Sequence, residues 1–126
     1  MKKYGFPKQA RIIRERDFQR LRRRGLRLTA YPLRVRALPR DEGDSRLGLA
    51  VGRRVGPAVV RNRWKRAIRE AFRLNRHRLR QPYDMAVSVA WEAEPGEATQ
   101  VEQAFLQVVE QLNARADDTA DADTAG

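Results

Sequence analysis

Arg53-Arg54-Val55-Gly56-Pro57-Ala58-Val59-Val60-Arg61-Asn62-Arg63-Trp64-Lys65-Arg66-Ala67-Ile68-Arg69-Glu70-Ala71-Phe72-Arg73 is the stretch on which the fold turns. Gly56-Pro57 interrupts whatever precedes it, and Pro57, with no N–H to leave unsatisfied, suits a first helical position. At about 100° per residue, Val60, Trp64, Ala67, Ile68 and Ala71 share an arc of roughly 100°. Arg61, Asn62, Lys65, Arg66, Arg69 and Arg73 share another of roughly 140° by the same geometry. One face fits a core and the other an anion. Cations at i,i+4 on one helix repel by a few tenths of a kcal/mol per pair, which Glu70 relieves by pairing with Arg66 or Arg73. A merely solvated face mixes its signs more evenly. Guanidinium forks donate two parallel hydrogen bonds to a phosphate. Asn62 adds a donor and an acceptor for a ribose 2′-OH, a base edge or a water.

Upstream, residues 1–13 are basic, contain Pro7 and lack a clean period, so they read as a flexible arm. Arg14 to Arg24 fits a short helix with Phe18 and Leu21 as its buried pair and Gly25 as its stop. Leu33, Val35 and Ala37 alternate with Arg34 and Arg36, the pattern of a half-buried strand whose arginines extend a basic surface. Pro39 to Asp44 is a turn-rich acidic loop, and Arg46 to Val51 reads as a second strand, so the two suggest an antiparallel hairpin.

Downstream, Leu74 to Arg80 fits a second short helix anchored by Leu79 and ended by Pro82. Asp84 to Trp91 is apolar enough for an interior strand. Thr99 and Glu102 have capping-box spacing. Val101, Ala104, Phe105, Val108, Val109 and Leu112 then trace an amphipathic helix whose task is packing. Asp117 to Gly126, acidic and without a large apolar residue, reads as a disordered tail. The result is one α+β domain over residues 14–116, a small two-layer sandwich in the order α-β-β-β-α-(α)-β-α with a strand–helix–strand crossover. The first and last helices are expected to cover one sheet face.

The 126 residues carry 27 Lys+Arg against 16 Asp+Glu, net +11. Residues 1–80 are net +20 and residues 81–126 net −9. Such a basic body is the footprint of a polyanion binder. No long apolar run or signal-peptide pattern is present, which makes the cytoplasm the expected location and a membrane partner unexpected. Without cysteine there are no disulfides, thiolate metal sites or cysteine nucleophiles. His77 is the one histidine, so neither a histidine metal cluster nor a Ser-His-Asp triad is expected.

Gly48-Leu49-Ala50-Val51, the Arg53-Arg54 pair, Val55-Gly56, Ala58-Val59, Arg61-Asn62-Arg63, Lys65-Arg66, Arg69-Glu70 and Phe72-Arg73 together resemble the protein component of bacterial ribonuclease P. Asp17-Phe18-Gln19 and Gly25 match the family's N-terminal pattern, and the resemblance covers roughly residues 8–112. It implies a non-catalytic protein subunit that helps a catalytic RNA remove the 5′ leader of precursor tRNA, and a left-handed crossover. It also implies magnesium held by RNA and substrate rather than by protein side chains alone, with the RNA subunit and precursor tRNA as partners and no obligate protein partner. By match, Arg53, Arg54, Arg61, Asn62, Arg63, Lys65, Arg66, Arg69 and Arg73 contact the RNA subunit. Phe18, Arg22, Leu33 and Arg36 are the matching positions for a leader cleft between the first helix and the sheet. Arg22 replaces a second aromatic of many relatives, Leu33 and Arg36 stand where Phe or Tyr is frequent, and Trp91 stands where a basic residue is common. Charge and guanidinium stacking then take over from base–aromatic stacking, worth ~1–3 kcal/mol per base.

Composition alone leaves a ribosomal-type RNA-binding protein nearly level with this reading. A DNA major-groove binder lacks a helix-turn-helix pair, and a protein nuclease lacks a carboxylate cluster near the basic helix.

Overall fold

The computed structural model describes residues 14–125, and the side chains of residues 14–117. The basic arm of residues 1–13 lies outside the described residues. In chain order the elements are α1 (Glu15–Arg24), β1 (Leu26–Ala30), β2 (Leu33–Pro39), β3 (Arg46–Ala50), α2 (Ala58–Asn75), β4 (Tyr83–Val89) and α3 (Val101–Ala125). Short 3₁₀ segments precede α2 (Arg53–Val55), follow it (Arg76–Arg78) and lead into α3 (Pro95–Gln100). The architecture is the mixed α+β sandwich expected, with three strands ahead of the basic helix.

The strands form one sheet in the order β1-β2-β4-β3. β4 is antiparallel to β2 and parallel to β3, so the strand–helix–strand unit is β3-α2-β4. The expected hairpin between Leu33–Leu38 and Arg46–Val51 is therefore corrected. The apolar β4 takes the interior place between them, and the true hairpin joins β1 to β2 through Tyr31-Pro32.

Strand alternation gives the sheet two unlike faces. Leu33, Val35 and Ala37 of β2 pair in register with Val89, Val87 and Met85 of β4, and all six are buried. They join Trp64, Ile68 and Phe72 of α2 and Phe105, Val108 and Leu112 of α3 in one core. Phe72 meets Phe105 edge to face at 6.1 Å, tying the two helices together, a contact of about 0.5–1.5 kcal/mol beyond its buried area. α1 lies against β2 and β4 on the other face, with Leu21 as its one buried residue, so the first and last helices cover opposite faces. Phe18, expected as Leu21's buried partner, is only half-buried.

Helix ends depart from the sequence reading in informative ways. α1 stops at Gly25, whose backbone turns extended while its N–H still donates to the Leu21 carbonyl, and a Cβ there would lie 2.5 Å from that oxygen. Pro57 caps α2 rather than opening it, and its carbonyl accepts the Val60 and Arg61 N–H groups. α2 runs on to Asn75, so the second short helix shrinks to the turn Arg76–Arg78. The capping box is Glu94 with Glu97, not Thr99 with Glu102. Thr99 Oγ1 donates to the Gly96 carbonyl, while Glu102 accepts from Asn75 Nδ2 at 3.0 Å, fastening the end of α2 to the start of α3. α3 spans Val101–Ala125.

Candidate nucleic-acid interface

α2 presents the two faces its periodicity predicts. Trp64, Ile68 and Ala71 are buried, while Asn62, Arg66 and Arg69 are exposed and Arg61, Lys65 and Arg73 half-buried. Gly56 precedes the helix with φ +149° and would bring a Cβ to 3.2 Å from Val60. Glycine here lets the chain turn from the exposed Arg53-Arg54 pair into the helix. Arg61 Nε donates to the Gly56 carbonyl at 3.2 Å, which holds its guanidinium over that turn. Of the two partners open to Glu70, Arg73 is the one used, with Nε donating at 3.2 Å and a second bond from Nη2. Those bonds hold the Glu70 carboxyl below its usual range, against a smaller opposing effect of burial. Arg73 is thereby partly neutralised at the end of the basic face. Arg63 is exposed on a flank, in the row shared by Glu70 at i+7.

The second basic surface lies across the sheet. A cleft of about 380 Å³ opens between α1 and the uncovered part of the sheet, lined by Phe18 and Arg22 of α1 and by Arg27, Arg34, Arg36 and Ser88 of the strands. Arg36 Nη1 donates to the Arg22 carbonyl at 2.8 Å, Arg22 pairs with Glu15 at 2.8 Å, and Arg34 pairs with Glu92 at 3.4 Å. Phe18, Arg22 and Arg36 are thus brought together as expected. Leu33 is not: it is 0% exposed and belongs to the core. Residues three apart in a strand point to opposite faces, so Arg34, not Leu33, shares the cleft with Arg36. Trp91 follows β4 and is exposed.

One residue escaped the sequence reading altogether. Asp84, 1% exposed, stands on the cleft face of β4 and ties α1 to the sheet. Its Oδ1 accepts from Arg46 Nε at 2.8 Å and Arg40 Nη1 at 2.9 Å, and its Oδ2 from Arg46 Nη2 at 2.8 Å and Arg20 Nη2 at 3.3 Å. Arg46 also approaches Asp17 of α1 at 3.7 Å. Burial by itself would raise the Asp84 pKa. The hydrogen bonds and charges of Arg46 and Arg40 together outweigh it and hold the carboxyl below its usual range. In sequence Asp84 is only the polar residue at the head of an apolar strand.

The ribonuclease P family model matches residues 6–113. The chain belongs to the ribonuclease P protein family. The ribonuclease P protein component of Desulfatibacillum aliphaticivorans is 44% identical over 88 residues, 69% of this chain and 74% of the relative. Among solved structures, the RNase P protein of Staphylococcus aureus superposes with a TM-score of 0.68 at 30% identity, covering 80% of this chain and 93% of that one. The RNase P protein of Thermotoga maritima gives 0.71 at 27% identity, covering 80% and 96%. Among the described residues no three His, Cys, Asp or Glu side chains gather closely enough to hold an ion. Nor is any described helix long and apolar enough to cross a membrane.

Proposed function

We propose that this ribonuclease P protein acts as a non-catalytic subunit in the cytoplasm, binding the catalytic RNA through α2 and the precursor-tRNA leader in the cleft between α1 and the sheet. The observation that carries this reading is the placement of two basic surfaces on opposite faces of one sheet, so that two polyanions can be held at once. Neutralising phosphates on both lowers the repulsion between them. Arg53, Arg54, Arg61, Asn62, Lys65, Arg66 and Arg69 hold the RNA subunit, with Arg63 and Arg73 at the margin. Phe18 gives one base a ring to stack on, and Arg22, Arg34 and Arg36 supply charge beside it. Magnesium is held by the RNA subunit and the substrate rather than by protein side chains alone. The protein's part in leader removal is to bind, orient and neutralise.

The test is processing of a precursor tRNA at low magnesium by a bacterial ribonuclease P RNA, with and without the protein, beside protein alone. Cleavage at the mature 5′ end that requires both is the expected result. Cleavage by the protein alone would place the chemistry elsewhere. RNA binding without any effect on processing, even with the cognate RNA, would make this a structural RNA-binding protein.

A further inference from the structure

α1 has a second charged side that the leader cleft does not use. At about 100° per residue, Arg16, Arg20, Arg23 and Arg24 fall within an arc of roughly 100°, on the opposite side of the helix from Phe18 and Arg22. They border a shallow depression of about 490 Å³. Arg16, Arg23 and Arg24 are exposed and form no ion pair among the described residues. Arg20 reaches Asp84, yet 49% of its side chain stays exposed. The acid in the depression, Asp17, is turned toward Arg46 and largely covered. Cations in the last turn of a helix complement its dipole, which accounts for Arg23 and Arg24. It does not account for Arg16, which sits in the first turn where the dipole opposes it. Pairs at Arg16/Arg20, Arg20/Arg23 and Arg20/Arg24 all repel.

We infer that this outward face of α1 tracks the phosphate backbone of leader nucleotides lying upstream of those in the cleft. The inference rests on the leader reading above. Continuity favours the leader over the RNA subunit. The cleft extends from Ala50 on β3 to Arg27 and Thr29 on β1, and at that far side Arg36 is bonded to the last turn of α1. A strand leaving there meets Arg23 and Arg24 next, then Arg20 and Arg16. Arg16 and Arg23 are seven residues apart, about 10 Å along the axis, enough for more than one phosphate. α2's basic face, by contrast, lies on the other side of the sheet. Guanidinium contacts to phosphates carry no base information, so the surface takes any sequence.

The experiment uses the holoenzyme and precursor tRNAs with no leader, a leader of about 4 nucleotides and one of about 12 nucleotides. The wild type is compared with the triple variant Arg16→Gln, Arg23→Gln, Arg24→Gln, which leaves Arg20 on Asp84 and exchanges residues of similar helix propensity. Three single-strand phosphate contacts add about 2 to the salt slope, about a 20-fold extra loss of affinity between roughly 50 and 200 mM salt. The expected result is that the long leader shows this increment in the wild type only, while the variant binds the short-leader substrate as the wild type does. An increment of equal size in the variant overturns the inference. So does a loss that is the same on leaderless substrate, which would assign the patch to the RNA subunit. Failure of the cleft reading looks different: leaderless and short-leader substrates would then bind the wild type alike.

Discussion

Asp84→Asn tests the ion cluster in which Arg20 of α1 meets Arg40 after β2 and Arg46 of β3. The side chain keeps its size but loses its charge, leaving Arg20, Arg40 and Arg46 without the carboxylate that four hydrogen bonds now engage. Removing one partner of a buried ion cluster costs about 3–5 kcal/mol. The arginine side chains are 49%, 23% and 24% exposed and recover some hydration when released, so the low end, about 3 kcal/mol, is expected. For a domain of this size that lowers Tm by about 10 °C. Because the folded-state pKa of Asp84 is depressed, its contribution is complete above the unfolded value of about 3.9 and is lost as pH falls through the lower folded value. Thermal unfolding followed by circular dichroism should therefore show the full gap between wild type and variant at about pH 7 and about pH 5, and a closing gap below about pH 4. A Tm loss under about 3 °C at neutral pH, or a gap that persists unchanged at about pH 3, would mean that the Asp84 carboxylate does not hold these arginines.

On α2, Arg61→Ala or Arg66→Ala should weaken RNA-subunit binding and each lower the salt slope by about one unit. Titrations over a salt series decide it, and two unchanged slopes would remove the helix from the interface. In the cleft, Phe18→Ala should cost about 1–3 kcal/mol of affinity for leader-bearing precursor and leave leaderless tRNA untouched, as measured by competition binding. Leu33→Ala should act on stability instead, losing about 2–5 kcal/mol in denaturant melts. Gly25→Ala drives a Cβ against the Leu21 carbonyl, so a lower Tm with a displaced α1 is expected, and an unchanged melting curve would count against that clash.

What the sequence made legible was whatever repeats along it. α2 and α3 declare themselves through period and charge, and β4 through an apolar run that only an interior strand can bury. β1 was open to reading, since Leu26, Leu28 and Ala30 alternate with Arg27 and Thr29, but it is short and wedged between an arginine-rich helix and Tyr31-Pro32. Sheet order was not legible. That β4 separates β2 from β3 depends on the path of α2 across the sheet, which no local pattern encodes. Asp84 was invisible for a related reason, because Arg20, Arg40 and Arg46 reach it from three separate parts of the chain. The misplaced Leu33 was avoidable, since strand parity alone puts it opposite Arg36.

Parity also explains how so small a chain presents two basic surfaces. In β2, Leu33, Val35 and Ala37 supply the core while Arg34 and Arg36 supply the cleft, and a slip of one residue would exchange the two sets. A largely antiparallel sheet tolerates one face open to water, so the cleft needs no second core. The consequence falls on α1, which has Leu21 as its only fully buried side chain. Burying one leucine gives about 1.5–3 kcal/mol, and the ion pairs that reach the helix are the half-exposed Arg20–Asp84 pair and the longer Asp17–Arg46 approach. The wall of the cleft is thus held by one buried leucine supplemented by ion pairs. The charges that anchor α1 sit beside the cleft arginines proposed to attract the nucleic acid.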